Sequence, residues 1–281
     1  MAQYHLDKVA FNTNNSRQFE GYMSTMNGAV GHIPLAAGQI HGYSHVEKFG
    51  SNLNVEASLE TIWDQGGTYS WATSAVSLYV DTEVADDGQD SGVSSPLGDG
   101  ARTIIIQGLD ASYHHVEEEV TVGGPPSTTE FLRVNRAFVQ TAGSIGTNTR
   151  PLIISTGANG TGTVYANIST HGAGSNEEGF GQTFLGLYTI PAGKTGYLTQ
   201  WTMGSSGTSS VHGFLRYRPF ANGNIFLTRD TMFFRDGLQT KNYIVPIRLE
   251  EKSDIEIQGY NNATGVAVST TFNIILVDNP T

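Results

Sequence analysis

The sequence predicts an all-β protein: two β-sandwich or jelly-roll-like domains preceded by an extended N-terminal arm. Three observations predict it. Charged residues make up only 15% of the chain, against about 25% in ordinary soluble proteins, and Gly, Ser, Thr and Asn take their place. Apolar residues alternate in short runs that recur at roughly eight-to-twelve-residue intervals, with turn residues between them. No segment carries a convincing apolar stripe of helical period; the best helix candidate, NVEASLETIW at 54–63, competes with a hairpin reading.

The first 40 residues show little periodicity. Tyr4, Phe11, Phe19, Tyr22, Met23 and Met26 stand as scattered anchors between Gly, Asn and Pro, which reads as an extended arm with contacts to offer. A first β-sandwich domain is expected over 41–178. ETIWDQ and TYSWAT flank Gly66-Gly67, a hairpin signal. AVSLYV follows at 75–80, and then an acidic, turn-rich loop at 81–100. The clearest hairpin is ARTIIIQGLDASYHHVEEEVTV. In its second strand His114, Val116, Glu118, Val120 and Val122 point one way, and His115, Glu117, Glu119 and Thr121 the other. FLRVNRAFVQTAG, RPLIIST and GTVYANIST read as further strands.

THGAGSNEEGFGQ, at 170–182, reads as a boundary, so a second β-sandwich domain is expected over 179–281. TFLGLYTIPAGKTGYLTQW should place two strands around the turn Pro191-Ala192-Gly193-Lys194. VHGFLRYRPF, NIFLTRDTMFF, NYIVPIRLEE, SDIEIQGYNN and STTFNIILVDN then read as short strands. In the first of these, Arg216 and Arg218 share one face and Leu215 and Tyr217 the other. Arginine beside tyrosine is typical of interface hot spots, so Arg216, Tyr217 and Arg218 join the arm residues as candidate contacts.

Charge and composition narrow the function. The formal net charge is −11; a surface of that sign repels phosphate backbones and anionic lipid, so neither nucleic acid nor membrane is an expected partner. There is no cysteine, so stability does not come from disulfides and folding in a reducing cytoplasm is expected. No signal-peptide pattern opens the chain, and no apolar run approaches the ~20 residues of a membrane span.

Motifs for chemistry are weak. His41 and His45 stand four apart, but Gly42 disfavours a helix between them. On a strand the two rings would lie roughly 13 Å apart, too far to share a metal. Glu117, Glu119 and His115 form an exposed acidic strip that suits a cation or a basic patch on a neighbour, or simply a solvated strand face. Glu118, on the valine side, is expected to need an arginine partner from 133, 136 or 150. No nucleophile elbow, catalytic cysteine or phosphate-cradling loop is present. Trp63, Tyr69 and Trp71 read either as core or as a platform for sugar rings. No enzyme activity, cofactor or metal is expected.

HGYSHVEKFG, VEASLETIWDQGGTYSW, GARTIIIQGLDASYHHVEEEVTV, FLRVNRAFV, YTIPAGKTGYLTQW, VPIRLEEKSDIEIQGYNN and FNIILVD together resemble a group of virion structural proteins of tailed phages of aquatic bacteria, cyanophages included. The resemblance spans most of residues 41–278. It implies a non-enzymatic assembly protein, made in the host cytoplasm and placed in the virion. One placement is a capsid cement or decoration protein at the capsid surface. There it would form a homotrimer and clamp neighbouring major capsid subunits non-covalently. The other is a tail-adaptor or receptor-binding, glycan-binding fibre protein. Repeats and heptads, the marks of long fibres, are lacking, which favours cement.

Overall fold

The computed structural model describes residues 32–82, 99–171, 179–222, 225–262 and 265–280. The arm anchors Tyr4, Phe11, Phe19, Tyr22, Met23 and Met26 and most of the acidic 81–100 loop lie outside these residues. The chain is nearly all β, as the alternation predicts. Its one α-helix among the described residues is the single turn α1 (His32–Ala36), inside the expected arm.

Thirteen strands follow among the described residues. They are β1 (Tyr43–Val55), β2 (Glu60–Thr61), β3 (Tyr79–Thr82), β4 (Ala101–Leu109), β5 (His115–Thr121), β6 (Arg133–Ala142), β7 (Leu152–Gly157), β8 (Thr161–Ile168), β9 (Leu187–Thr189), β10 (Lys194–Arg218), β11 (Leu227–Leu249), β12 (Asp254–Asn261) and β13 (Val266–Asp278). The β4–β5 hairpin forms as its sequence predicts. Asp110 closes its turn by accepting from the Ser112 and His114 amides at 2.8 and 2.9 Å, and Tyr113 takes a positive φ of 66°. The helix candidate at 54–63 is instead the end of β1, a bend and β2.

Two short sheets, β3-β7-β8 and β5-β4-β6, enclose one core. Leu78, Ile104, Ile106, Phe131, Leu152, Ile154, Ile168 and Leu185 fill it. A seven-stranded sheet runs β1-β13-β10-β12-β2, with β11 added beside β10 and β9 beside β12. It curls around a second core containing Trp201, Met203, Leu215, Ile257, Phe272 and Ile274.

Strand pairing revises the division expected at 178/179. β1 and β2 belong to the first half of the sequence, yet β1 pairs antiparallel with β13 and β2 with β12. The larger sheet is thus assembled from both ends of the chain, and the smaller core lies between them in sequence. Local periodicity marks a strand but carries no record of its partner. Gly50 shows how close the layers come: a Cβ there would run into the backbone of Ile62 and Gly186.

β10 and β11, expected as several short strands, are 25 and 23 residues long. The N-terminal half of β10 lies between β13 and β11, its C-terminal half between β12 and β11. Partners change at a bulge, where residues 206–209 of β10 face Asp236 alone. A second bulge lies on β11, where Tyr243, Ile244, Val245 and Pro246 face Thr199 alone. Pro246 cannot donate to a ladder, which suits it to a bulge.

Candidate functional site

Two features stand out from the frame: a buried arginine–aromatic node between the cores, and the exposed ribbon of β11. The node is built on Asp254, at the start of β12. Its Oδ1 accepts from Arg133 Nε at 2.8 Å and from Thr189 Oγ1 at 2.5 Å. Its Oδ2 accepts from Arg133 Nη2 at 3.2 Å and from Arg218 Nε at 2.8 Å. All three charged side chains are buried, at 2%, 5% and 9% exposure for Asp254, Arg133 and Arg218. Trp71 packs against both guanidinium groups, 5.1 Å from Arg133 and 5.0 Å from Arg218; Phe226 lies 4.8 Å from Arg218.

Beside it, Glu256 accepts from Gln258 at 2.8 Å, from Trp71 at 3.3 Å and from Thr61. Arg216 donates to Gln258 at 2.7 Å. Burial raises the Glu256 carboxyl above its usual range, against the pull of these donors and Arg216. A buried charge this well paired is retained at a cost in desolvation and is strongly destabilising to break. The node therefore joins β6, β9, β10 and β12 and is a brace.

This settles where three predicted contact residues lie. The faces of Arg216, Tyr217 and Arg218 split as the alternation predicts, but Tyr217 is buried in the larger core at 5% exposure. Arg218 is consumed by Asp254 and Arg216 is bonded within the chain. As interface contacts Tyr217 and Arg218 are corrected: their surface is spent inside the molecule. Trp63 and Tyr69 are core, at 3% and 4% exposure, and the face of Trp71 is taken by arginine. Glu118 finds its partner in Thr128 and Thr129, whose amides donate at 2.9 and 2.6 Å, and not in an arginine. Those donors hold its carboxyl below its usual range although burial pulls the other way. His41 precedes β1 and His45 lies on it; both are exposed.

A second buried charge lies on β1. Lys48 Nζ donates to the backbone carbonyl of Asn135. Burial, assisted by Arg136 and opposed by Asp64, pulls its pKa down to about 7. The Asp64 carboxyl is pushed well above its ordinary range by burial, and its Oδ1 has no hydrogen-bond partner. No sequence signal marks either residue as buried.

The β11 ribbon inverts this pattern. Six of the eleven large apolar side chains exposed among the described residues lie at 225–245: Ile225, Leu227, Phe233, Leu238, Ile244 and Val245. The second bulge pushes Ile244 and Val245 outward to 99% and 83% exposure. β11 pairs with β10 alone among the described strands, so its other edge is a strand edge.

No protein-family model and no curated protein matches the chain. A solved structure of infectious bursal disease virus, Gx strain, aligns at 9% identity over 84% of this chain and 71% of that chain, with a TM-score of 0.21. A likeness that slight carries no argument for either fold or function.

Proposed function

We propose that this chain is a bacteriophage virion structural protein, a capsid cement or decoration protein that clamps neighbouring major capsid subunits without covalent chemistry. The observation that carries the assembly role is the β11 ribbon: large apolar side chains held in water on a rigid frame mark a protein–protein contact. The resemblance of residues 41–278 to phage virion proteins supplies the kind of assembly. The braced β body suits a clamp, because a buried, fully paired node resists distortion between its sheets. In this reading the protein is not an enzyme and needs no cofactor, and it sits at the capsid surface after synthesis in the host cytoplasm. Its partners are the major capsid protein and further copies of itself, as a homotrimer, and the arm residues 1–40 add contact area. The tail-adaptor or receptor-binding alternative loses support from the aromatic run, since Trp63 and Tyr69 are core and Trp71 is covered by arginine.

Quantitative mass spectrometry of purified particles tests the reading. A copy number comparable with that of the major shell subunit is expected. The few copies typical of a tail part would overturn it.

A further inference from the structure

The larger sheet turns Val46, Leu198, Trp201, Phe272 and Ile274 into its core. Residues between them face outward and form rows across the strands. In one row Glu47, Asn273, Gln200 and Asn242 stand side by side on β1, β13, β10 and β11. In the next, His45, Ile275 and Tyr197 do the same.

The first row is fixed by its own amides. Asn273 Nδ2 donates to Gln200 Oε1 at 2.9 Å, and Gln200 Nε2 donates to Asn242 Oδ1 at 2.8 Å. The Asn242 side-chain N–H groups, Asn273 Oδ1 and the Glu47 carboxylate are left without a hydrogen-bond partner among the described residues. These are two donors and a set of strong acceptors, held in place before any ligand arrives.

The two rows floor a hollow of about 510 Å³, walled at one end by Leu35 and Ala36 of α1. A second hollow, of about 540 Å³, begins at Tyr197, the in-register neighbour of Ile275 in the first. It extends past Thr195 and Arg248 to the exposed Phe220. Together they make a groove with a half-buried aromatic ring at its waist.

An ordinary solvated strand face also carries amides and carboxylates. Here they border a concave surface with an aromatic ring at its centre, which is the make-up of a ligand site. Charge narrows the ligand. Arg248 is paired with Glu250 at 3.6 Å, and Glu47 and Glu251 add negative charge, so an anion is disfavoured. Among the described residues no group of three or more His, Asp or Glu is placed to hold a metal ion. Mixed donors and acceptors suit sugar hydroxyls, which both give and take hydrogen bonds, and Tyr197 suits the apolar face of a sugar ring. We propose that this groove binds a neutral oligosaccharide, with Tyr197 stacked on one ring and Glu47, Asn273 and Asn242 bonded to its hydroxyls. The site is separate from Trp63, Tyr69 and Trp71, which are spent within the fold. It goes beyond the assembly reading: a capsid-surface protein with this groove also holds the particle to polysaccharide.

Saturation-transfer NMR of the full chain with maltotriose, cellotriose and N-acetylchitotriose tests it. Transfer to the ring protons of at least one of the three is expected. Tyr197→Ala should weaken that binding at least about tenfold. Asn242→Ala and Glu47→Gln should weaken it several-fold with unchanged circular dichroism, because both side chains are exposed. Phe233→Ala, outside the groove, should leave it unaltered. No transfer to any of the three sugars, or binding that survives Asn242→Ala and Glu47→Gln at full strength, overturns the site. Either result leaves the cement reading standing, since that reading is decided by copy number on the particle.

Discussion

The node and the ribbon contrast in the placing of charge. At the node, Arg133, Arg218 and Asp254 sit where a core would ordinarily hold leucine or phenylalanine. On the ribbon, Ile244 and Val245 sit where water would ordinarily meet lysine or glutamate. Both depart from the usual sorting of side chains, with opposite meanings. The buried charges are satisfied within the chain, so they are structural. The exposed apolar groups have no partner among the described residues that covers them, and in the proposed reading they face another molecule. Exposure, not residue type, separates brace from contact: arginine was the expected contact residue in FLRYR and proves to be the brace.

The contrast can be broken most sharply at Asp254. Asp254→Ala leaves Arg133 and Arg218 buried without a counter-charge and should cost about 3–5 kcal/mol, read from the shift of a denaturant midpoint at constant slope. A loss below about 1 kcal/mol would show that the node is solvated and not a brace.

Lys48 supplies the next effect. Its folded-state pKa, about 7, lies below the ordinary lysine value of 10.5. Between these values the unfolded chain binds the proton that the folded chain refuses. Stability should therefore rise with pH across that window, by up to a few kcal/mol, and should be at its lower level below pH 7. Lys48→Met should flatten this slope. Asp64, raised by burial, acts in the opposite direction, and losing the Lys48 charge raises it further, which also works against the slope in the variant. Equal slopes for the two proteins in denaturation series at pH 7 and pH 9.5 would remove the buried amine from the account.

Gly50→Ala tests the packing between the layers. The new methyl meets the backbone of Ile62 and Gly186, which cannot swing aside as a side chain can, so about 1–3 kcal/mol should be lost. The smallest effect belongs to the ribbon. Ile244→Asp should change folding stability by less than about 0.5 kcal/mol, as expected where a side chain touches nothing in its own fold. A larger loss in thermal unfolding would mean that the ribbon has an intramolecular partner and is not a contact surface.

Much of the fold was legible in residue pattern. The β4–β5 hairpin, its turn at Asp110 and the outward face of His115, Glu117 and Glu119 all follow from a period of two. The length of β10 and β11 was not legible. GSSGTSS in β10 and the Pro246 bulge in β11 interrupt the apolar alternation, so one bent strand reads as two short ones. Nor was the node. Arg133 lies 121 residues from Asp254 and Arg218 lies 36, and nothing near any of the three marks it for burial. Glu118 was rightly read as needing a partner, but two amide donors in the adjoining loop answer that need as well as a guanidinium.

The sequence by itself determined that the chain is all-β, where most strands lie and which face of each is apolar, because backbone sterics and side-chain alternation act within a few residues. Only the tertiary structure decided that β1 closes against β13, that three distant charges form one brace, and that Ile244 and Val245 stand in water. Those outcomes depend on which segments meet in space, and pairing over more than a hundred residues leaves no local trace.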